Sequence, residues 1–242
     1  MALAEAMPAA SSSIGSREVP EPVYFGNGCF WGRQYDFVNA EKEMGRGMGE
    51  ATAVVGYAGG RQAGPDGKVC YYIADPKSVY EKLGHAEVVQ VSVDGDPSTS
   101  PKAAQEFRRF ADTYFNQFRK TKYGMMRSDP QDAGPGYRNV VGIPGGVNSP
   151  FFPILKEANV YGMELREGSG NVWNGNKPSE DDILNVVWVV DSKQLPFYRA
   201  EKYHQYHTGM GKMFPWEYLV DMKNAAAKAG KIGPTGCPEL PF

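Results

Sequence analysis

A cysteine bracketed by glycines is the first group in this sequence that could carry chemistry. Cys29 lies in the run G-N-G-C-F-W-G at residues 26–32, between a strand predicted at 23–25 and a helix predicted at 34–43. This order places the thiol at a helix N-terminus, where free N–H groups and the helix dipole are expected to lower its pKa. Phe30 and Trp31 would form an apolar wall beside the sulfur. The pattern favours a nucleophile over the alternative, a buried structural cysteine.

Two further stretches offer proton donors. Glu87 lies in an apolar run at 85–93 that predicts a strand, where burial would raise the carboxyl pKa toward neutrality. Asp132 and Tyr137 flank a turn rich in glycine and proline and could converge on one point. Each has a structural alternative: a solvated strand edge for Glu87, and an exposed turn for Asp132.

Two adjacent tyrosines, Tyr71 and Tyr72, could supply a phenolic hydrogen bond, although tyrosines in a loop-rich chain more often only pack. Cys70, which precedes them, is interpreted as a buried cysteine without a role.

The histidines leave two other readings open. His204 could pair with Cys29 as in a thiol hydrolase that transfers acyl groups. His204 and His207 are spaced for one helical face and, with His85, invite a metal site. No third ligand is indicated and no C-x-x-C occurs, so no bound metal is predicted.

Several motifs, in the same chain order, resemble those of the A-type peptide methionine sulfoxide reductases. Each motif combines glycine or aromatic residues with a polar group. The motifs are G-C-F-W-G at 28–32, G-Y-A-G-G at 56–60, G-H-A-E at 84–87, D-x₄-Y-R at 132–138 and F-Y-x-A-E-x-Y-H-Q-Y at 197–206. The resemblance extends from about residue 23 to the C-terminus. It implies thiol-dependent reduction of methionine-S-sulfoxide, free or in peptides and proteins, as a repair of oxidised proteins.

The resemblance also implies roles for individual residues. Cys29 would be the nucleophile and Glu87 the proton donor. The substrate methyl group would lie against Phe30 and Trp31. The sulfoxide oxygen would be held by the remaining polar residues, namely Tyr71 or Tyr72, Tyr137, and Asp132 as an orienting group. Because residues 61–83 are longer than the corresponding family segment, the choice between the two tyrosines is open, with Tyr71 favoured.

A second thiol must then condense with the Cys29 sulfenic acid to form a disulfide. Cys237 is predicted to be this resolving thiol because it lies in a Gly/Pro-rich C-terminal tail that could swing over the cleft. The oxidised protein is then expected to contain a Cys29–Cys237 disulfide with Cys70 free. An external thiol, thioredoxin or dithiothreitol, would reduce it, and no bound cofactor is expected.

Composition excludes several other classes of protein. Lys and Arg number 26 against 28 Asp and Glu, which gives no electrostatic basis for binding nucleic acid or an anionic membrane. No apolar run approaches the roughly 18 residues of a membrane span. Three widely spaced cysteines suit a reducing compartment, the cytoplasm or an organelle. The chain is expected to act as a monomer, and a non-catalytic binder of methionine-containing peptides is the remaining alternative.

Strands and helices intermix irregularly, which predicts an α+β fold: a two-layer sandwich around a mixed central sheet, with a ferredoxin-like core and long loops. Residues 1–22 are predicted to be a flexible lead-in and 23–229 a single catalytic domain. Residues 230–242 are predicted to be a flexible tail that carries the resolving thiol.

Overall fold

The apolar runs of the sequence become neighbouring strands of one seven-stranded sheet. The computed structural model describes residues 19–127, 129–209 and 211–240. The strand order across this sheet is β11-β2-β3-β1-β6-β10-β7. The strands of the sheet are β1 (Pro20–Gly26), β2 (Val54–Ala58), β3 (Ala86–Asp94), β6 (Val140–Ile143), β7 (Glu164–Glu167), β10 (Val186–Asp191) and β11 (Tyr198–Arg199).

Two hairpins lie outside this sheet, and four α-helices accompany it. The hairpin strands are β4 (Phe118–Thr121) with β5 (Gly124–Arg127), and β8 (Trp173–Asn174) with β9 (Lys177–Pro178). The helices are α1 (Phe30–Glu43), α2 (Pro101–Phe115), α3 (Phe151–Ala158) and α4 (Lys223–Lys228), the last preceded by a π-helical segment, Glu217–Met222.

The order β1-α1-β2-β3-α2-β6 builds the centre of the fold. These four strands lie side by side as β2-β3-β1-β6, and each is antiparallel to its neighbour. This is the topology of a ferredoxin-like core. Parallel pairing of β10 with β6 and β7 makes the whole sheet mixed. The predicted α+β class and ferredoxin-like core are both confirmed.

Alternating side chains divide the apolar residues between the two faces of the sheet. Val23 and Phe25 of β1 belong to the larger cluster, which α1 and α2 cover, and Tyr24 belongs to a smaller cluster on the opposite face. Glu87 and Val89 are two residues apart on β3, so their side chains lie on the same face of the sheet. That face is the one covered by the helices, because Val89 belongs to the larger cluster. The strand thus delivers a carboxyl group to the covered face, beneath the start of α1.

Local signals fix α2 as predicted. Ser100 is the N-cap and its hydroxyl accepts a hydrogen bond from the backbone N–H of Ala103 at 3.3 Å, while Pro101 occupies the first helical position.

The two ends of the chain differ from the prediction. Strand β1 begins at Pro20, inside the expected lead-in, because Pro20 to Phe25 pair with β3. The rest of that lead-in, residues 1–18, lies outside the described residues. The tail is docked rather than free up to residue 240: Ile232 is buried, and Glu239 accepts hydrogen bonds from the backbone N–H groups of Lys202 and Tyr203.

Among the described residues, no helix combines the length and the apolar character that crossing a bilayer would require.

Candidate active site

The start of α1 brings Cys29 and Glu87 together. Cys29 is the N-cap of α1, and the next residue, Phe30, donates its backbone N–H to Glu87 Oε2 at 3.0 Å. The carboxyl group therefore occupies one of the free donors at the helix N-terminus. Gly28 turns the chain into the helix with a φ of 86°, a conformation that side chains other than glycine rarely adopt.

Burial controls the protonation of Glu87. The carboxyl is fully enclosed, and this desolvation raises its pKa to about 8, against the opposing hydrogen bond from Phe30. Glu87 thus holds a proton at neutral pH, which is the state that the sequence predicted for a proton donor.

The expected lowering of the Cys29 pKa is wrong. Burial raises the thiol pKa well above its usual value, and the charge of Glu87 adds to the rise. The backbone N–H of Trp31 at the helix N-terminus acts in the predicted direction but is the smaller effect. The thiol is therefore protonated in the substrate-free protein near neutrality.

An aromatic wall covers the thiol side of α1, as predicted for Phe30 and Trp31. Phe30 is buried, and Trp31 is partly exposed and stacks on the imidazole of His207 with ring centroids 4.0 Å apart. The indole N–H of Trp31 donates to His204 Nδ1 at 3.3 Å. The wall is therefore held from behind by a histidine-bearing turn.

His204 is not the partner of the thiol. Its Nδ1 accepts from Trp31, and burial lowers its pKa to about 3, so the ring is neutral. An imidazolium paired with a Cys29 thiolate is incompatible with this environment, which removes the geometric basis for the acyl-transfer reading. His85, the third histidine, binds the backbone of residues 60 and 62 and does not join a metal site.

The phenols that face Glu87 include one that the sequence analysis missed. Tyr80 is fully buried, and its hydroxyl lies 3.4 Å from Glu87 Oε1. Tyr71 is half-buried, and the charges of Glu87 and Cys29 contribute to its raised pKa, after burial. Tyr72 is 43% exposed and its hydroxyl turns to Glu81 at 2.9 Å. The Tyr72 hydroxyl also lies 3.2 Å from the hydroxyl of Tyr80. Tyr80 is therefore the phenol in contact with Glu87, and Tyr72 is linked to the carboxyl through it.

Asp132 and Tyr137 both lie close enough to Glu87 for electrostatic interaction with its carboxyl group. Cys29 and Asp132 line one narrow pocket together with Gly32 and Lys212. Burial raises the pKa of Tyr137, and the charge of Glu87 adds to it. The backbone carbonyl of Tyr137 accepts the N–H of Gly28 at 2.9 Å, which fixes this loop against the residue before Cys29.

Arg127 is a further residue that the sequence analysis did not identify. Its guanidinium forms a bidentate pair with Asp182, both contacts at 2.8 Å, and donates to the backbone carbonyls of Asp132 and Tyr137 at 2.9 Å. A buried, forked donor of this kind holds one wall of the pocket in place.

The cysteine pairing differs from the expectation. Cys237 is bonded to Cys70, with Cα atoms 5.6 Å apart, and Cys29 is the free thiol. The expectation that Cys70 has no partner is wrong, because the docked tail brings Cys237 onto the segment that precedes Tyr71. Glu201 lies with them, and the possible ligand atoms of the three residues fall within 4.8 Å of one another. Since the two sulfurs are bonded to each other, this group does not offer a metal its thiolates.

The fold and the pocket together define an α+β protein with a free thiol at the N-cap position of a helix, close to a protonated carboxylic acid. A family model described as peptide methionine sulfoxide reductase matches residues 21–143. A peptide methionine sulfoxide reductase MsrA of Methanoculleus marisnigri is 32% identical over 185 residues, which span 76% of this chain and 87% of that protein. The MsrA of Methylobacterium nodulans is 29% identical over 225 residues, or 90% of this chain and 75% of that one.

Among solved structures, methionine sulfoxide reductase A of Corynebacterium diphtheriae is similar at a TM-score of 0.45 and 18% identity, covering 79% of this chain and 74% of that one. The family assignment rests on the sequence matches. The chain belongs to the peptide methionine sulfoxide reductase family.

Proposed function

We propose that this protein reduces methionine-S-sulfoxide to methionine in peptides and proteins, using Cys29 as the nucleophile and Glu87 as the proton donor. The observation that carries the proposal is the Glu87 carboxyl, buried with a pKa of about 8 and bonded to the residue next to Cys29. Membership of the family supplies the substrate class.

The apolar and polar sides of the pocket match the two ends of a sulfoxide. The methyl group lies against Phe30 and Trp31, and the oxygen faces Glu87 with Tyr71, Tyr80 and Tyr137. Asp132 orients the site. As Cys29 attacks the sulfoxide sulfur, Glu87 passes its proton to the oxygen and takes up the proton that the thiol releases, so that the carboxyl ends the step protonated as it began. In sum, the sulfur–oxygen bond of the substrate breaks, the oxygen ends on Cys29 as a sulfenic acid, and methionine leaves.

The three cysteines then return the enzyme to its starting state. Cys237 condenses with the sulfenic acid, which releases water and forms a Cys29–Cys237 disulfide. Cys70 attacks Cys237 by thiol–disulfide exchange, which frees Cys29 and leaves the Cys70–Cys237 bond seen in the structure. An external dithiol such as thioredoxin, or dithiothreitol, reduces that bond. The enzyme acts as a monomer in a reducing compartment such as the cytoplasm.

The test is the consumption of methionine sulfoxide with dithiothreitol as the only other reagent. The wild-type protein should reduce the S-epimer and leave the R-epimer. Cys29→Ser should retain less than about a thousandth of this activity, since a serine oxygen is a far weaker nucleophile than sulfur and cannot become a sulfenic acid. A Cys29→Ser variant with near-normal turnover would contradict the assignment of the nucleophile.

A further inference from the structure

A polar groove runs along one face of α1, starting at the pocket that holds Cys29. On α1 it is lined by Asp36, Asn39 and Glu43, which recur every three to four residues and therefore share one face. On and just beyond α2 it is lined by Arg109, Thr113 and Asn116. Its volume is about 370 Å³, within the range of ligand-binding clefts.

The two walls run in opposite directions and are joined at both ends. Gln117, past the end of α2, donates to Asp36 Oδ2 at 3.0 Å near the start of α1. Arg109, about two turns before Gln117, pairs with Glu43 at the end of α1. The groove is thus an open channel between antiparallel helices, closed below by Ala40.

The channel adjoins the candidate active site. Lys212 borders both the groove and the narrow pocket of Cys29, and its Nζ lies near Gly32, the third residue of α1. From Gly32 to Glu43 the helix advances about 16 Å at 1.5 Å per residue. An extended polypeptide covers that length with about five residues.

The groove presents groups that suit a peptide backbone. The side-chain amides of Asn39 and Asn116 each offer an N–H donor and a C=O acceptor. These groups can pair with the C=O and the N–H of a peptide unit. Neither amide has a hydrogen-bond partner among residues 19–127, 129–209 and 211–240. At the end of the groove farther from Cys29, the charges of Arg109 and Glu43 are already paired with each other. Apart from Lys212, and Asp36 and Arg33, which Gln117 and Asp129 already bind, the groups left for a ligand are the neutral amides of Asn39 and Asn116.

We propose that this groove binds the polypeptide chain that flanks the oxidised methionine, so that the enzyme favours protein-bound over isolated methionine sulfoxide. The inference rests on the proposed function, and it assigns the α1/α2 groove as a subsite for about five residues on one side of the reacting side chain.

The test compares two S-sulfoxide substrates: N-acetylmethionine sulfoxide amide, which has no flanking residues, and a nonapeptide with methionine sulfoxide at its centre. The wild-type kcat/KM should be higher for the nonapeptide. Replacing both groove amides, Asn39→Ala with Asn116→Ala, should lower kcat/KM for the nonapeptide roughly tenfold, the effect of losing two or so hydrogen bonds. The loss should fall on KM with kcat unchanged, as expected for binding remote from the reaction.

The small amide serves as the internal control for folding, and its kcat/KM should stay within about twofold in the double variant. Asn224→Ala, an exposed asparagine on α4, is the matched substitution and should change neither substrate. Thr113→Trp, which fills the groove, should reproduce the selective loss.

Equal effects of the groove variants on both substrates, or no effect on either, would overturn the groove assignment alone. A wild-type protein that reduces neither substrate would instead overturn the proposed function.

Discussion

Glu87 and Cys29 share the N-terminus of α1, yet burial and not the helix dipole sets their protonation. Oε2 of Glu87 accepts the Phe30 N–H, and Oε1 accepts the hydroxyl of Tyr80 at 3.4 Å. The thiol is protonated too, because its pKa is raised. At neutral pH Cys29 and Glu87 are therefore both uncharged.

A carboxylic acid that must donate its proton makes the reaction slower at high pH. Glu87 is protonated below its pKa of about 8, so the single-turnover rate of the wild-type protein should fall as the pH rises through this value. Glu87→Gln should be slower by roughly 10²–10⁴ and should lack this fall, since an amide has no proton to release. Rapid-quench measurement of methionine from pH 6 to 10 checks both points.

A near-wild-type rate in Glu87→Gln would show that Glu87 is not the acid. The binding of a substrate analogue should stay within a few fold in this variant, which separates lost proton transfer from lost binding.

The raised pKa of Cys29 predicts a slow reaction with alkylating reagents. Because the thiolate is the nucleophile, the rate of modification by iodoacetamide in the absence of substrate should keep rising with pH beyond 9, where an ordinary cysteine levels off. Mass spectrometry of the Cys29 peptide measures the rate, with a cysteine-containing model peptide as the reference. A plateau below pH 8 would mean that the helix N-terminus dominates after all.

At the scale of single residues, the sequence predicted which residues lie close together but not how burial shifts their pKa values. The motifs around Cys29 and Glu87 sufficed to place them together. The sign of the Cys29 pKa shift could not be predicted, because it depends on how much water the fold removes. Tyr80 was missed because residues 61–83 differ in length from the family segment, so that counting residues from Gly60 misplaced the phenol.

At the scale of elements, the docked tail explains the cysteine pairing. Arg199 donates to the carbonyl of Lys231 at 3.0 Å, and Glu239 caps the turn that carries His204. Cys237 lies between these two anchors and is bonded to Cys70. For Cys237 to meet Cys29, this stretch of tail must leave Cys70 and its neighbouring contacts.

If Cys70 takes over the disulfide as proposed, the fully reduced wild-type protein should release two equivalents of methionine in the absence of any reductant. The first turnover ends in the Cys70–Cys237 bond and frees Cys29 for a second attack. Cys70→Ser should release one equivalent and retain a Cys29–Cys237 disulfide. Quantifying methionine and mapping the disulfides by peptide mass spectrometry gives the answer.

Cys237→Ser is the matched variant: it should also release one equivalent, at close to the normal rate, and its turnover with thioredoxin should fall steeply. One equivalent from the wild-type protein would mean that Cys70–Cys237 is a structural bond outside the catalytic cycle.

The regular elements were the most predictable part of the chain. The β-branched runs that became β2, β3 and β10, and the Ser100-Pro101 start of α2, are local signals that the structure reproduces. The docking of the tail was not predictable, because glycine and proline indicate a loop without indicating what it packs against. Ile232, the buried residue of that tail, is a single apolar residue with no periodic pattern around it.

For the molecule as a whole, the Cys70–Cys237 bond spans 167 residues. Closing so long a loop restricts the unfolded chain, and its reduction should lower the free energy of unfolding by about 2–5 kcal/mol. Urea unfolding of the oxidised protein with and without dithiothreitol measures the difference. Cys29→Ser, which keeps the disulfide, should respond to dithiothreitol like the wild type, whereas Cys237→Ser, which lacks the cysteine common to both proposed disulfides, should not respond. An unchanged midpoint in the wild type would contradict this prediction.

The position of that bond also divides the molecule mechanically. Strands β1 and β2 lie outside the covalent loop, whereas β3 and β6, the two neighbours of β1, lie inside it. A force applied to the two chain ends would peel β1 and β2 from the sheet and then stop at Cys70. Between Val19 and Cys70 this releases about 50 residues, or roughly 170 Å of contour length. Only a reducing solution would let the remaining residues extend. In an optical trap, the length of this first rip would therefore report the redox state of one molecule at a time.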